Sequence, residues 1–185
     1  MPRRIFIAVE ISEDIRRAIY GQSRKAFSSY DRIRIIPPEN IHITLKFLGN
    51  TRDQDIGKII DATGEAVSSH ESFDYSLEEK IGAFPNTQRA RIAFIGIKKG
   101  DNNVKSLYKS IEDNLFNSGF ERENKRFYPH ITIARLKKPS EICSTLWDSS
   151  SLSHFEPCAE SAAVIESILG RDGARYIIIK RFVLK

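Results

Sequence analysis

The chain has 185 residues, 41% of them apolar and 29% charged, enough to bury a core without covalent staples and to keep a solvated surface. No stretch approaches the ~20 consecutive apolar residues of a membrane span, and the two cysteines, Cys143 and Cys158, lack metal-ligand spacing, so a reduced, cytoplasmic protein is expected. The formal charge of +5 is a modest excess that would help attract phosphate-bearing molecules without establishing that the chain binds nucleic acid.

Residues 5–9 are apolar and predict a buried strand; the charged stretch at 10–17 follows too soon for a secretory leader. Ser12 is placed to cap a helix with Glu13 and Asp14 in its first turn and Ile15, Ala18, Ile19 and Ala26 on its apolar face. A short strand at 33–36 is stopped by Pro37 and Pro38, and the next strand, at 41–48, should end at Gly49 and Asn50. A second helix fits 54–68, with Ile56, Ile59, Ile60, Thr63 and Val67 spaced for one face. Phe73, Tyr75 and Leu77 alternate as in a half-buried strand, and a turn is expected around Phe84, Pro85 and Asn86. The pattern then begins again: a strand at 91–97, a helix marked by Val104, Leu107, Tyr108, Ile111 and Leu115 and closed by Gly119, and a strand at 127–136. The tail reads as a hairpin, 162–169 and 174–183, turning at Gly170-Arg171-Asp172-Gly173. Residues 137–155 resist assignment, and their Ser-rich centre, 149–153, is expected to be a surface loop.

The two halves keep the same order of elements. Ile5 and Ile92, which open the matching strands, lie 87 residues apart, and His42 and His130 lie 88 apart. One domain spanning 1–185 is therefore expected, an α+β fold of two pseudo-symmetric lobes. Two antiparallel sheets would face each other across a central cleft, with helices outside and one histidine motif from each lobe.

The motifs are His42-Ile43-Thr44-Leu45 and His130-Ile131-Thr132-Ile133. Residues two apart in a strand share a face, so each strand offers an imidazole and a hydroxyl on one side and an apolar anchor on the other. By that parity Lys46 joins His42, while Phe47 falls on the opposite face. The arrangement suits in-line phosphoryl transfer. One histidine takes a proton from the attacking oxygen and the other gives one to the leaving oxygen, each transfer worth ~10²–10⁴-fold. The threonines can donate to the non-bridging oxygens. A single histidine on a strand is usually a hydrogen-bonded structural residue, and His70 and His154 are read that way. The pair is different, because two of only four histidines open the same string. Zinc is the sharper rival, but no third ligand at metal-binding spacing accompanies the pair, and no metal or other cofactor is expected.

The string from Pro37 to Gly49, with His42-Ile43-Thr44-Leu45 at its centre, resembles the first motif of the two-histidine phosphoesterases. More narrowly it resembles the LigT-like RNA 2′,3′-cyclic phosphodiesterases, long called 2′-5′ RNA ligases. Arg4-Ile5-Phe6-Ile7-Ala8, Gly82-Ala83-Phe84-Pro85, Gly119-Phe120, Phe127 through Arg135, and the final hairpin agree in order, so the resemblance covers essentially the whole chain. It implies hydrolysis of a terminal 2′,3′-cyclic phosphate to a 2′-phosphomonoester, with His42 as proton donor to O3′, His130 as acceptor from water, and Thr44 and Thr132 holding the phosphate. The near-identical motifs do not themselves assign acid and base. The implied partners are RNA ends with a cyclic phosphate, tRNA fragments among them, with no membrane and a monomeric protein. Two alternatives stay open: the reverse joining reaction that makes a 2′-5′ bond, and a non-catalytic RNA-end or nucleotide-binding module. Among secondary candidates, Lys46 could add charge near the phosphate or be an ordinary solvated lysine. Arg135 falls on the face opposite His130 unless a bulge intervenes, and is not counted as a site residue. Phe84 and Tyr128 could stack on a base or belong to the core. Lys98-Lys99 and Lys137-Lys138 read first as solvated.

Overall fold

The computed structural model describes residues 2–147, 152, 155–170 and 173–185. In chain order the elements are β1 (Arg3–Val9), α1 (Glu13–Ala26), β2 (Ile33–Ile35), a 3-10 turn (Pro38–Asn40), β3 (Ile43–Thr51), α2 (Asp53–Ser68), β4 (Phe73–Asp74), β5 (Leu77–Phe84), β6 (Ala90–Ile97), α3 (Asp101–Asn117), β7 (His130–Ser140), β8 (Cys158–Ala159), β9 (Ser161–Gly170) and β10 (Gly173–Val183). β4 and β8 form a small sheet. The others form an eight-stranded sheet in the order β10-β9-β1-β3-β7-β6-β5, with β2 also on β7. Its pairings are antiparallel throughout. The repeat predicts two sheets; the two groups found, β10-β9-β1-β3 and β7-β6-β5 with β2, are hydrogen-bonded to each other at one register pair, Ile43 with Ile131. Further along, β2 takes the same edge of β7, from Ala134 to Leu136.

The alternation of side chains explains the layers. Ile5, Ile7 and Val9 of β1, Ile43 and Leu45 of β3, and Ile131 and Ile133 of β7 share one core with Ile15 and Ile19 of α1, Ile56 and Ile59 of α2, and Leu107 and Ile111 of α3. Helix α1 packs on β2 and β7, α2 on β9 and β10, and α3 on β3 and α2. Burial of each such Ile or Leu is worth ~1.5–3 kcal/mol. On the other face of β1, Phe6 and Ala8 form a smaller cluster with Ala163, Ile165 and Tyr176. Strand β1 is thus covered on both faces, which is why 5–9 is a continuous apolar run rather than an alternating one.

Several boundaries differ from the sequence expectation. Ser12 occupies the N-cap of α1, but its side chain makes no capping bond. Strand β3 passes through Gly49, whose φ of +67° suits glycine, and ends at Thr51. The stretch from Phe73 to Leu77 splits between β4 and β5, because Phe73 and Asp74 pair with Ala159 and Cys158. Residues 137–140 belong to β7. Gly170 pairs with Gly173 as the hairpin requires. Its turn residues 171–172, and the Ser-rich 149–153 apart from Leu152, lie outside the described residues.

Candidate active site

Strands β3 and β7 meet antiparallel with Ile43 facing Ile131. Continuing that register by one residue sets His42 across from Thr132, and Thr44 across from His130. Both isoleucines are fully buried on the helix side, so alternation turns the two His–Thr pairs to the opposite face. All four side chains line one cavity of about 240 Å³, with Asn40, Phe47, Phe84, Arg135 and Tyr176 around them.

The two imidazoles are held alike. His42 Nδ1 lies 2.8 Å from the carbonyl oxygen of Asn40, and His130 Nδ1 lies 2.7 Å from that of Tyr128. A carbonyl can only accept, so Nδ1 carries the hydrogen in both rings and Nε2 is the nitrogen left for chemistry. In the neutral ring of His42, the Thr44 hydroxyl donates to Nε2 across 2.9 Å. Asn40 closes the 3-10 turn before β3, and its side-chain amide donates to the Ala174 carbonyl of β10 at 2.7 Å. The carbonyl that orients His42 is thereby tied to the hairpin.

Aromatic rings pack around both histidines. Phe6 and Tyr176 lie 5.0 and 5.4 Å from His42, and Phe94 and Phe84 lie 5.1 and 5.2 Å from His130, centroid to centroid. Phe6 and Phe94 are themselves 88 residues apart, the spacing of the histidines. Burial lowers the pKa of His42 to about 4; the Asn40 hydrogen bond opposes this, and His130 and Arg135 push it further down. His130 is lowered too, chiefly by burial, against its bond to Tyr128 and with Arg135 acting in the same downward sense. Both rings are therefore neutral near pH 7 in the free protein.

A family model described as the 2′-5′ RNA ligase superfamily matches residues 12–159. The chain belongs to this superfamily. A relative from Archaeoglobus fulgidus named RNA 2′,3′-cyclic phosphodiesterase is 31% identical, covering 97% of this chain and 99% of its own. Another of that name, from Methanocaldococcus jannaschii, is 32% identical with coverage of 97% and 99%. The superfamily fold is shared with TT0787 of Thermus thermophilus, at a TM-score of 0.84, 23% identity, and 98% and 97% of the two chains. E. coli LigT complexed with 3′-AMP gives a TM-score of 0.78, 22% identity, and 100% and 99%.

Three side chains of this superfamily member, Lys46, Phe47 and Arg135, depart from strand parity, for one reason. Thr44 pairs with Ala8 and Lys46 with Ile7, which leaves Leu45 as an extra residue. Thr132 pairs with Phe94 and Ala134 with Ala93, which leaves Ile133 extra in the same way. The two bulges are again 88 residues apart. Each inverts the parity beyond it. Lys46 therefore leaves the face of His42: it is 7% exposed, 2.6 Å from Glu112 of α3, and donates to the Glu121 carbonyl at 2.9 Å. It is no solvated lysine, and it lines the adjoining cavity rather than the one that holds both histidines. Arg135, set aside on parity, lines the cavity, and so does its counterpart Phe47. Only the end of the family string at Arg135 signalled this; nothing in the sequence marks a bulge. Phe84 also lines the cavity, whereas Tyr128 lies outside it and is 47% exposed. His70 is hydrogen-bonded to Ser110 Oγ at 2.9 Å, away from the site, and His154 lies outside the described residues. Lys98 pairs with Glu79 at 2.7 Å, and Lys137 and Lys138 are exposed.

Proposed function

We propose that the chain, acting as one domain over 1–185, hydrolyses 2′,3′-cyclic phosphates at RNA ends to 2′-phosphomonoesters, by metal-independent acid-base chemistry of His42 and His130. One observation carries this reading: two imidazoles anchored through Nδ1 line a single cavity with Thr44 and Thr132. Relatives named RNA 2′,3′-cyclic phosphodiesterase support the substrate class. A water oxygen attacks phosphorus and passes its proton to His130 Nε2. The P–O3′ bond breaks, and O3′ takes a proton from His42 Nε2. Burial keeps His42 neutral in the free protein, and the entering phosphate anion favours its charged form, so the acid is loaded together with substrate. Thr44 then releases Nε2 and, with Thr132, donates to the non-bridging oxygens. With a 5′-hydroxyl in place of water, the same groups in the same roles would join the cyclic end to it through a 2′-5′ bond, O3′ again leaving. His42, His130, Thr44 and Thr132 all come from one chain, which supports action as a monomer. The free thiols of Cys143 and Cys158 are in keeping with a cytoplasmic location, where the ends of tRNA fragments are available substrates.

The test is incubation with 2′,3′-cyclic AMP in excess EDTA, followed by chromatography. Adenosine 2′-phosphate is expected, at an undiminished rate. A 3′-phosphate product would reassign the leaving oxygen. Loss of activity with EDTA and rescue by zinc or manganese would overturn the metal-free mechanism. Tight nucleotide binding without turnover would leave only a binding module.

A further inference from the structure

A second cavity, of about 430 Å³, adjoins the first. The two share Thr44, Phe47, Phe84, Ile92 and His130, so the second opens on the His130 side of the reacting centre. One of its walls comes from residues 123–128, which precede β7 and have no regular secondary structure. Aromatic surface dominates it. Phe127 stacks on Tyr108 of α3, with centroids 4.0 Å apart and planes 6° from parallel. Phe47, on the rim common to both cavities, is 62% exposed, and Tyr128 is 47% exposed. Lys125 and Arg126 stand at the same wall, while the Glu123 carboxylate is turned back to accept from the backbone N–H of Lys125 at 3.2 Å.

The segment is held in place despite its irregular backbone. Lys46 donates to the Glu121 carbonyl at 2.9 Å, Glu112 accepts from the backbone N–H of Glu123 at 2.9 Å, and Arg122 pairs with Asp113 at 2.6 Å. Exposed aromatic rings beside two cations, on a braced wall continuous with the cavity of the two histidines, are the ingredients of a single-strand binding groove. The rings offer stacking surfaces that tolerate any base, and the cations face the backbone.

We propose that this groove is a subsite for the second base of the RNA, that of the nucleotide preceding the cyclic end. It stacks on Tyr128 and Phe47, with Lys125 and Arg126 facing the phosphate that joins it to the terminal nucleotide. The inference rests on the proposed hydrolysis, which brings one RNA strand and a water, so a base in the groove comes from the strand that carries the cyclic phosphate. The test compares kcat/KM for adenylyl-adenosine 2′,3′-cyclic phosphate with that for 2′,3′-cyclic AMP. The dinucleotide should be favoured by about tenfold or more. Tyr128→Leu, and separately Lys125→Ala with Arg126→Ala, should bring the ratio toward one, mainly through KM, with melting temperatures checked for folding. Rising salt should erode the wild-type ratio more than that of the lysine-arginine variant. Equal kcat/KM for the two substrates in the wild type, with both turned over, overturns the groove alone. So does a Tyr128→Leu variant that slows both in equal proportion, since that would mark mere support of His130. Competition by a 5′-hydroxyl dinucleotide added in trans, without any length preference, would assign the groove to a second strand and overturn the proposal. Failure to hydrolyse either substrate removes the proposed activity itself, and the subsite with it.

Discussion

The His42 half and the His130 half of the cleft carry the same string, the same bulge and the same carbonyl anchor on Nδ1, yet their surroundings differ. His42 is enclosed by Phe6, Tyr176 and the Thr44 hydroxyl, and burial takes it down to about 4. His130 shares its side with the aromatic groove and Tyr128, and its pKa is also lowered. The residue three after Thr44 is Phe47 and the residue three after Thr132 is Arg135, so the two bulges aim a ring from one half and a cation from the other at the same cavity. Likewise Lys46 and Ala134 follow the two bulges, and only the first reaches a charged partner in a helix. A repeated motif supplies two interchangeable proton carriers. Different walls make them unequal, and inequality is what an acid and a base on one phosphorus require.

The largest expected effect tests whether the halves act together. His42→Ala and His130→Ala should each lower kcat by at least ~10², and the double variant should be far from the product of the two, because groups acting as a unit are not independent. Multiplicative effects, or near-normal turnover in either single variant, would separate the two histidines.

The second test makes the first half resemble the other at the position after the bulge. Lys46→Ala removes a cation that lies against Glu112, with their side chains 7% and 6% exposed. It should destabilise the fold by ~3 kcal/mol or more in urea unfolding, because one buried charge is left without its partner. Lys46→Met with Glu112→Leu should recover much of that loss. If the single and double variants unfold at the same denaturant concentration, uncompensated charge is not the cause.

Next in size are the threonines. Thr44→Ala and Thr132→Ala should each slow turnover by ~10- to 100-fold, less than loss of a histidine, by removing one donor to the phosphate. They should differ in pH dependence. Only Thr44 is bonded to His42 Nε2, so its removal should move the limb of the kcat/KM profile that belongs to His42, while Thr132→Ala should leave the profile's shape alone. Both free-protein limbs should lie on the acid side of the ordinary histidine value, since burial lowers both rings. Identical profile shapes for the two variants would count against the asymmetry.

The smallest effect is on stability. Above pH ~6.5 the His42 ring is neutral in the folded and unfolded chains alike, and its shift has no consequence. As pH falls from there to about 4, the unfolded chain takes up a proton that the folded chain does not, so stability declines through that window. The decline attributable to His42 should be on the order of 2 kcal/mol, allowing for a ring that is only half-buried, and should be missing in His42→Gln when urea midpoints are followed against pH. An equally steep decline in that variant would place the titration elsewhere.

What was legible in the sequence is what local periodicity encodes. The helices at 13–26, 53–68 and 101–117, the hairpin at the tail, and the common face of His42 with Thr44 and of His130 with Thr132 follow from spacings of three to four, or of two, along a single segment. The repeat at 88 residues also foretold that the two motifs would meet, since matching strands of a duplicated unit pack as equivalents. Tertiary structure alone decided what happens beyond each threonine. A bulge is a property of two paired strands, so neither Leu45 nor Ile133 marks itself in its own segment. That one-residue slip sent Lys46 inward to Glu112 and brought Phe47 and Arg135 to the cavity, against the parity read from the chain. The same holds for the proton affinities: twin motifs carry the same intrinsic chemistry, and the drop of His42 to about 4 comes chiefly from burial, to which Phe6 and Tyr176 contribute from strands remote in sequence, because desolvation depends on everything that surrounds a ring and not on its neighbours along the backbone.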